Sequence, residues 1–286
     1  MIKSYKARRI ISNTLIYIFL SVLCIIWVLP IADLIMTSFR ATGGVAPVYL
    51  IPQDWTLNNY IELFTNNDTT FNYLHCFTNT LFVACCSCVL STFSVLMVSY
   101  TFSRLRFKTR KFFINIGMIL GMFPGFMTMI AIYYLLKAMN LDGRLVSLII
   151  CYSATAGLGY LISKGFFDTI PRALDEAATI DGATKNQIFW KIILPMSKPI
   201  VIYTILTSFI GPWCDFIFIG FIIGPNHPEN FTIAYMLLQM VNSENINTQY
   251  LYFCAGSVLI AVPITLLFLK LQKFYVEGVT GGAVKG

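Results

Sequence analysis

The sequence predicts an all-α membrane protein with six transmembrane helices. Three observations carry that prediction: too few charges for a water-soluble domain, apolar runs of bilayer length, and basic residues gathered in alternate loops. Of the 286 residues, 57% are hydrophobic and 12% charged, whereas an average soluble domain carries roughly 25% charged residues. Backbone amides cannot face hydrocarbon unpaired, so spanning elements must be helices or a closed barrel, and a helix needs ~20 mostly apolar residues. The runs here have that length, and none shows the short alternation of a barrel strand.

The first span, at 14–36, follows Lys3, Lys6, Arg8 and Arg9 as a signal peptide would. It is too long for the apolar region of one and lacks a clear small-residue cleavage site, so it is expected to remain as a helix. Further spans are expected at 77–102, 112–136, 145–163, 200–223 and 252–271. With the N-terminus in the cytoplasm, 17 of the 20 Lys and Arg fall on the inner side and only Arg40, Lys137 and Arg144 on the outer, the bias expected of basic residues that resist translocation. The formal charge of +7 therefore reports topology, and no nucleic-acid partner is expected. The reading is of a multi-pass protein of the cytoplasmic membrane in contact with lipid, with a transmembrane domain over 14–275. A cytoplasmic N-terminal segment, 1–13, and a Gly-rich cytoplasmic tail, 276–286, flank it.

Seven of the eight cysteines, Cys24, Cys85, Cys86, Cys88, Cys151, Cys214 and Cys254, lie in apolar runs, and Cys76 sits near a membrane edge. They read as small apolar packers rather than disulfide partners. His75 and His227 are far apart and lack ligand spacing, so no metal site is expected.

The connection between spans four and five, 165–199, is far longer than two neighbouring helices need, and its pattern is not that of a flexible linker. Pro171 suits the first turn of a helix, Asp175 and Glu176 follow in its early turns, and Gly182 suits a left-handed stop, so a helix is expected from Pro171 to Ile180. Thr184 with Gln187 forms a capping box for a second helix, which Pro195 is expected to end. Ile170, Leu174, Ala177 and Ala178 share one face of the first helix, leaving Arg172, Asp175, Glu176 and Thr179 on the other. Ile188, Phe189, Ile192 and Ile193 share a face of the second. The product is a rigid elbow with small side chains at Ala177, Ala178, Gly182 and Ala183. Physics alone leaves two readings: a hairpin lying on the membrane surface, or a platform that another protein approaches closely.

The spacing separates them. Glu176, Ala177, Ala178, Gly182, Ile192, Leu194 and Pro195 fill every fixed place of E-A-A-x3-G-x9-I-x-L-P, and the segment resembles the signature loop of ABC importer permeases. The resemblance extends to Asn79-Thr80-Leu81, Ser103-Arg104-Leu105-Arg106-Phe107, Phe166 to Pro171, Trp213 to Phe216 and the ending Gly278 to Gly286. These look like the carbohydrate-uptake branch of maltose and maltodextrin type, and Gly121 to Met127 resembles the maltodextrin and galacto-oligosaccharide permeases of Gram-positive bacteria. Cys214, where many relatives carry Asn, and Ala131, where many carry Pro, depart from the pattern.

The resemblance implies the type I ABC importer permease fold and a bacterial importer. Its parts would be this permease, a second, different permease, two copies of an ATPase subunit and an extracellular sugar-binding protein. Glu176, Ala177, Ala178, Asp181, Gly182, Ile192, Leu194 and Pro195 would form the coupling surface for the ATPase, with Glu176 meeting a basic residue and Asp181 capping the second helix or pairing across the interface. Gly281, Gly282 and Lys285 of the tail would also reach the ATPase. The chain has no G-x-x-x-x-G-K-[ST] loop to cradle a nucleotide phosphate. It is therefore read as a transport subunit and not an enzyme, with no cofactor of its own, ATP and Mg being used by the partner.

Intramembrane acids mark pathways or helix-to-helix hydrogen bonds. Asp215 beside Trp213 is the first candidate for the translocation pathway, with Asn79 and Tyr133 behind it and Tyr134 weaker. Asp33 reads as near the outer edge of its helix. The outer loop from Gly224 to Tyr250 reads either as a solvated connector or as a contact for the binding protein. Glycerol phosphate is the alternative cargo, but an anion would favour basic residues, and none lies in the interior of a span. An ion-coupled secondary transporter would give the elbow no purpose.

Overall fold

In the computed structural model of the chain, residues 5–45, 50–66, 68, 70–155 and 159–280 are described. Regular structure among them is helical, apart from a single antiparallel bridge between Arg40 and Trp55. In chain order the helices are α1 (Tyr5–Ser38), α2 (Asn58–Thr65), α3 (Tyr73–Arg104), α4 (Arg110–Gly121), α5 (Gly125–Ala138), α6 (Leu145–Thr155) and α7 (Gly159–Thr169). After them come α8 (Ala173–Ile180), α9 (Lys185–Met196), α10 (Lys198–Cys214), α11 (Ile217–Ile223), α12 (Ile233–Met240) and α13 (Ile246–Thr280).

Four stretches are long and apolar enough to cross a membrane: Arg9–Ser38, Tyr73–Arg104, Leu145–Thr169 and Ile246–Lys273. Counting each of two bent pairs, α4 with α5 and α9 with α10, as one span raises the number to six. The third span is thus not the straight helix expected at 112–136 but two helices bent by 101°. Pro124 stands at the bend as the N-cap of α5; it carries no N–H for a continuous ladder and disfavours helical backbone at the residue before it.

The fifth span is also divided. Helix α10 ends at Cys214, and α11 starts at Ile217 rather than the run continuing to Ile223. Pro212 in the last turn of α10 withdraws one amide donor, and the Asp215 side chain accepts from the Phe218 amide at 3.0 Å, capping the second piece. Helix α1 starts at Tyr5, ahead of the expected 14, the fourth span runs on to Thr169, and α13 reaches Thr280, beyond the expected start of the tail at 276.

The chain divides into two units. One comprises residues up to Asn66 together with Gln239–Ala261. In it, Phe39 packs between the rings of Trp55 and Tyr60 at 6.1 and 5.3 Å. Buried Asn59 donates to the carbonyls of Ser38 and Arg40, each at 2.9 Å. From Ile10 to Ile35 helix α1 shows an apolar surface, as hydrocarbon solvent permits.

The other unit, Asn67–Leu238 with the residues from Val262 onward, is organised on α3, against which α6, α7 and α10 pack. Its buried residues on α3 include Ser87, Ser91, Ser99 and Ser103. These small side chains let neighbouring backbones approach, as helix interfaces in membranes require. Ser91 and Ser99 donate across to the carbonyls of Tyr152 and Tyr160 at 3.1 and 3.0 Å. None of the eight cysteines, all among the described residues, is in a disulfide, and Cys76, Cys88, Cys151 and Cys254 are buried.

Candidate functional site: the elbow and its anchorage

The elbow forms much as its residues dictate. Helix α8 ends in a Schellman arrangement, with the Ala183 amide bonded to the Ala178 carbonyl at 2.9 Å and the Gly182 amide to the Thr179 carbonyl at 3.1 Å. Gly182 holds the left-handed φ of +82° this turn demands. At the start of α9 the Thr184 hydroxyl accepts from the Gln187 amide at 3.3 Å, and the Gln187 side chain accepts from the Thr184 amide at 2.8 Å. The capping role allowed to Asp181 therefore belongs to Thr184, and Asp181 is exposed.

Two expectations need correction. Pro195 does not end the second helix, which runs to Met196 before an 84° bend into α10. A π-helical turn over Phe189–Ile193 lies just ahead of the proline; the widened ladder there accommodates the amide donor that Pro195 lacks. At the bend, the buried Ser197 hydroxyl satisfies the Ile193 carbonyl at 2.7 Å.

The second correction concerns the faces of α8. Ile170 and Ala178 are buried with Ile188, Phe189 and Ile193 in one cluster against Leu96, Tyr100 and Phe167, but Leu174 and Ala177 are exposed. Asp175, expected on the outer face, is turned inward onto the Arg104 guanidinium at 2.8 Å. An ion pair this well shielded outweighs the small apolar gain of turning Leu174 in, because an unpaired guanidinium would be far more costly to bury. The outward surface then carries Glu176, Ala177, Ile180, Asp181 and Gly182, with Ile180 86% exposed. An acidic, small-residue surface with one prominent apolar side chain suits a close protein contact.

Arg104 is the functional residue that sequence reasoning missed. It is the last residue of α3, its side chain only 4% exposed, and besides Asp175 it donates to the Phe167 and Ile170 carbonyls at 2.5 and 2.7 Å. Those carbonyls close α7, so one cation neutralises a helix C-terminus and an acid of the elbow together. Around it, Ser103 and Lys164 both hold Asp168, at 2.6 and 2.5 Å. Tyr100, one turn back, donates to the Lys185 carbonyl at 3.1 Å. The sequence places Arg104 in the stretch Ser103 to Phe107 that resembles the family but assigns it no role, because its partner is 71 residues away.

The four pathway candidates are not gathered into one site. Asn79 is buried and donates to the Glu229 and Phe231 carbonyls at 3.1 and 3.0 Å, clamping the connection between the fifth and sixth spans. Asp215 accepts from Phe218 and from the Tyr152 hydroxyl, each at 3.0 Å, which is the helix-to-helix bond left open above. Trp213 is 5% exposed against Phe77, 5.1 Å between rings. Tyr133 packs on Phe221 at 5.1 Å. Between α3, α6, α7 and α10 lies instead a cleft of about 290 Å³, lined with hydroxyls from Ser91, Tyr152, Tyr203, Thr204, Thr207 and Ser208.

The connection between the fifth and sixth spans is no solvated connector: Phe231, Ile233, Met236 and Met240 are buried, and α12 forms within it. The His75 ring contacts the Glu229 carbonyl at 2.7 Å, and the His227 ring contacts the Glu229 side chain at 3.2 Å. Among the described residues, however, no group of three His, Cys, Asp or Glu is arranged for a metal. Gly281, Gly282 and Lys285 lie outside the described residues.

Residues 91–278, which hold the elbow and everything it is anchored to on α7 through α10, match the family of inner-membrane components of binding-protein-dependent transport systems. The chain belongs to that family. It is a multi-pass membrane permease, a transport subunit and not an enzyme. Over 290 residues, covering 100% of each chain, it is 34% identical to a maltodextrin transport system permease protein of Streptococcus pneumoniae (strain ATCC BAA-255 / R6). It is 32% identical over 287 residues, again 100% of each, to a galactooligosaccharides transport system permease protein of Bacillus subtilis (strain 168). Among solved structures, a chain of a bacterial ABC transporter that imports the acidic polysaccharide alginate superposes with a TM-score of 0.78 at 19% identity, covering 96% of this permease and 99% of that chain. The fold is that of the type I importer permeases.

Proposed function

We propose that this permease is one of two different transmembrane subunits of an ATP-driven importer for a neutral oligosaccharide of the maltodextrin or galacto-oligosaccharide class. The remaining parts would be two copies of an ATPase, which use ATP and Mg, and an extracellular sugar-binding protein. The observation that carries the coupling half of this reading is the elbow. It is anchored at its back by Arg104 and the cluster around Ile188 and left bare at its front, as a surface built to be gripped would be. Glu176 pairs with a cation of the ATPase, and Gly182 and Ala177 let the two backbones approach. The bias of basic residues supports a cytoplasmic elbow and cytoplasmic termini, and the tail residues Gly281, Gly282 and Lys285 are proposed as a second contact to the ATPase.

The cargo reading is supported by the two relatives that span the whole chain and by the hydroxyl lining of the cleft beside Tyr152. With no cationic side chain among its lining residues, that cleft suits a neutral polyol better than a carboxylated sugar. In this reading ATP-driven closure of the ATPase pair rocks the permeases between inward- and outward-facing forms. The test is to co-express the permease with candidate second permeases and ABC ATPases from the same genome, and to reconstitute them in vesicles. Hydrolysis stimulated by binding protein loaded with maltodextrin or galacto-oligosaccharide is the expected result. Failure of any ATPase to co-purify would overturn the coupling reading, and stimulation by acidic sugars alone would overturn the cargo.

A further inference from the structure

Helix α3 is held at both ends by groups whose partners lie far away in sequence. At the elbow end Arg104 takes Asp175 of α8 and the carbonyls that close α7, while Tyr100 takes the Lys185 carbonyl at the start of α9. Both arms of the elbow are therefore fastened to one turn of one helix. At the other end the buried Thr80 hydroxyl accepts from the Ile233 amide at 2.8 Å, and His75 and Asn79 bind the carbonyls of Glu229 and Phe231. The two attachments are separated by most of a 32-residue helix, about 40 Å at 1.5 Å per residue. No proline interrupts the sequence of α3 between them, in contrast to α10 and α13, which contain Pro212 and Pro263. An uninterrupted helix with fixed ends moves as a rod.

We infer that α3 is the rod through which the elbow drives the outer loop, and that Arg104 and Asp175 are the positioning residues of its inner joint, with Thr80 at its outer one. The inference rests on the coupling function proposed above. The inner joint has a further property: Arg104 Nε and Asp175 Oδ1 are both buried without a hydrogen-bond partner. The pair meets through one bond, from Nη1 to Oδ2, because Nη2 is given to the Phe167 and Ile170 carbonyls.

The charged and polar groups around the joint act differently from Asp175. Asp168 is held by Ser103 and Lys164, and Arg172 reaches the Ser103 carbonyl at 3.4 Å. Asp175→Asn keeps an amide oxygen to accept from Arg104 Nη1 beside the two carbonyls, so the guanidinium stays hydrogen-bonded and the corner folded while the charge that ties α8 to it is removed. Thr80→Val is close to isosteric and removes the acceptor for Ile233 together with the hydroxyl's own bond to the Cys76 carbonyl one turn back.

The experiment uses the reconstituted complex with a fluorophore at exposed Asn226 in the outer loop, and reads its change on ATP addition. Asp175→Asn and Thr80→Val should both keep ATPase co-purification and basal hydrolysis while the ATP-driven signal falls by about fivefold or more, the lower end of typical coupling. Asp175→Glu should restore the signal, which a merely structural role for the position would not predict. A wild-type signal in both variants overturns the inference. So does loss of the ATPase from Asp175→Asn, which would place Asp175 on the docking surface instead. A wild-type permease that binds no ATPase refutes the proposed function itself, and the inference falls with it.

Discussion

Replacing Gly182 isolates what the elbow's turn contributes. The residue sits at φ +82°, and a Cβ built there meets no atom within 4 Å, so neighbours exact no penalty and the whole cost lies in the backbone. An L-residue in the left-handed region costs about 1–2 kcal/mol, and a β-branched one is a genuine outlier there. Gly182→Ala should therefore cost about 1 kcal/mol and Gly182→Val about 2–3 kcal/mol. With about 1.4 kcal/mol per tenfold, Val lowers the population of the closed turn by roughly 30- to 150-fold relative to wild type.

The loss should stay local. Ala178, Ile188 and Phe189 remain packed in their cluster, and only the two bonds of the Schellman turn, at 2.9 and 3.1 Å, depend directly on residue 182. Hydrogen exchange on the purified permease reads this directly. The amides of Gly182 and Ala183 should lose protection in the order wild type, Ala, Val, while those in the middle of α3 stay unchanged. Co-purification of the ATPase should weaken in the same order. Equal protection of these amides in wild type and Gly182→Val would refute the reasoning, since the positive φ would then carry no cost.

Three further outcomes are expected. Glu176→Lys reverses an exposed charge without touching the anchored face, so the permease should fold and insert normally while ATPase co-purification falls; unchanged co-purification would remove Glu176 from the contact. A cysteine at Thr184 should be labelled by a membrane-impermeant maleimide in inverted vesicles and not in intact cells, and labelling in intact cells would overturn the cytoplasmic placement of the elbow. Asp215→Ala leaves the Tyr152 hydroxyl and the Phe218 amide without their acceptor and should lower stability by about 1–3 kcal/mol. Unchanged thermal stability in detergent would show that Asp215 is not a structural clamp.

Much of this protein was legible in its sequence because the deciding forces there are local. Hydrocarbon demands ~20 apolar residues per crossing and rejects basic loops, which marks six spans in a linear scan. The elbow's turn, cap and start are set by Gly182, Thr184 with Gln187, and Pro171 within a few residues of each other, and its spacing names the family. Local rules failed where two of them competed. Pro124 and Pro212 break spans that hydropathy reads as continuous, while Pro195 fails to stop a helix because a π turn relieves it.

What the tertiary structure alone decided is the use of each polar residue. Asp175 looks like a solvent-facing acid by helical periodicity, yet it turns inward because Arg104, 71 positions earlier, needs a partner in a low-dielectric corner. Asn79 and Asp215 look like pathway groups because they are polar in apolar runs, yet their hydrogen-bonding capacity goes to Phe231, Glu229, Phe218 and Tyr152. A sequence states that a buried polar group must have a partner. Only the packing of distant helices states which one, because the energy of the pair depends on a distance that no local pattern encodes.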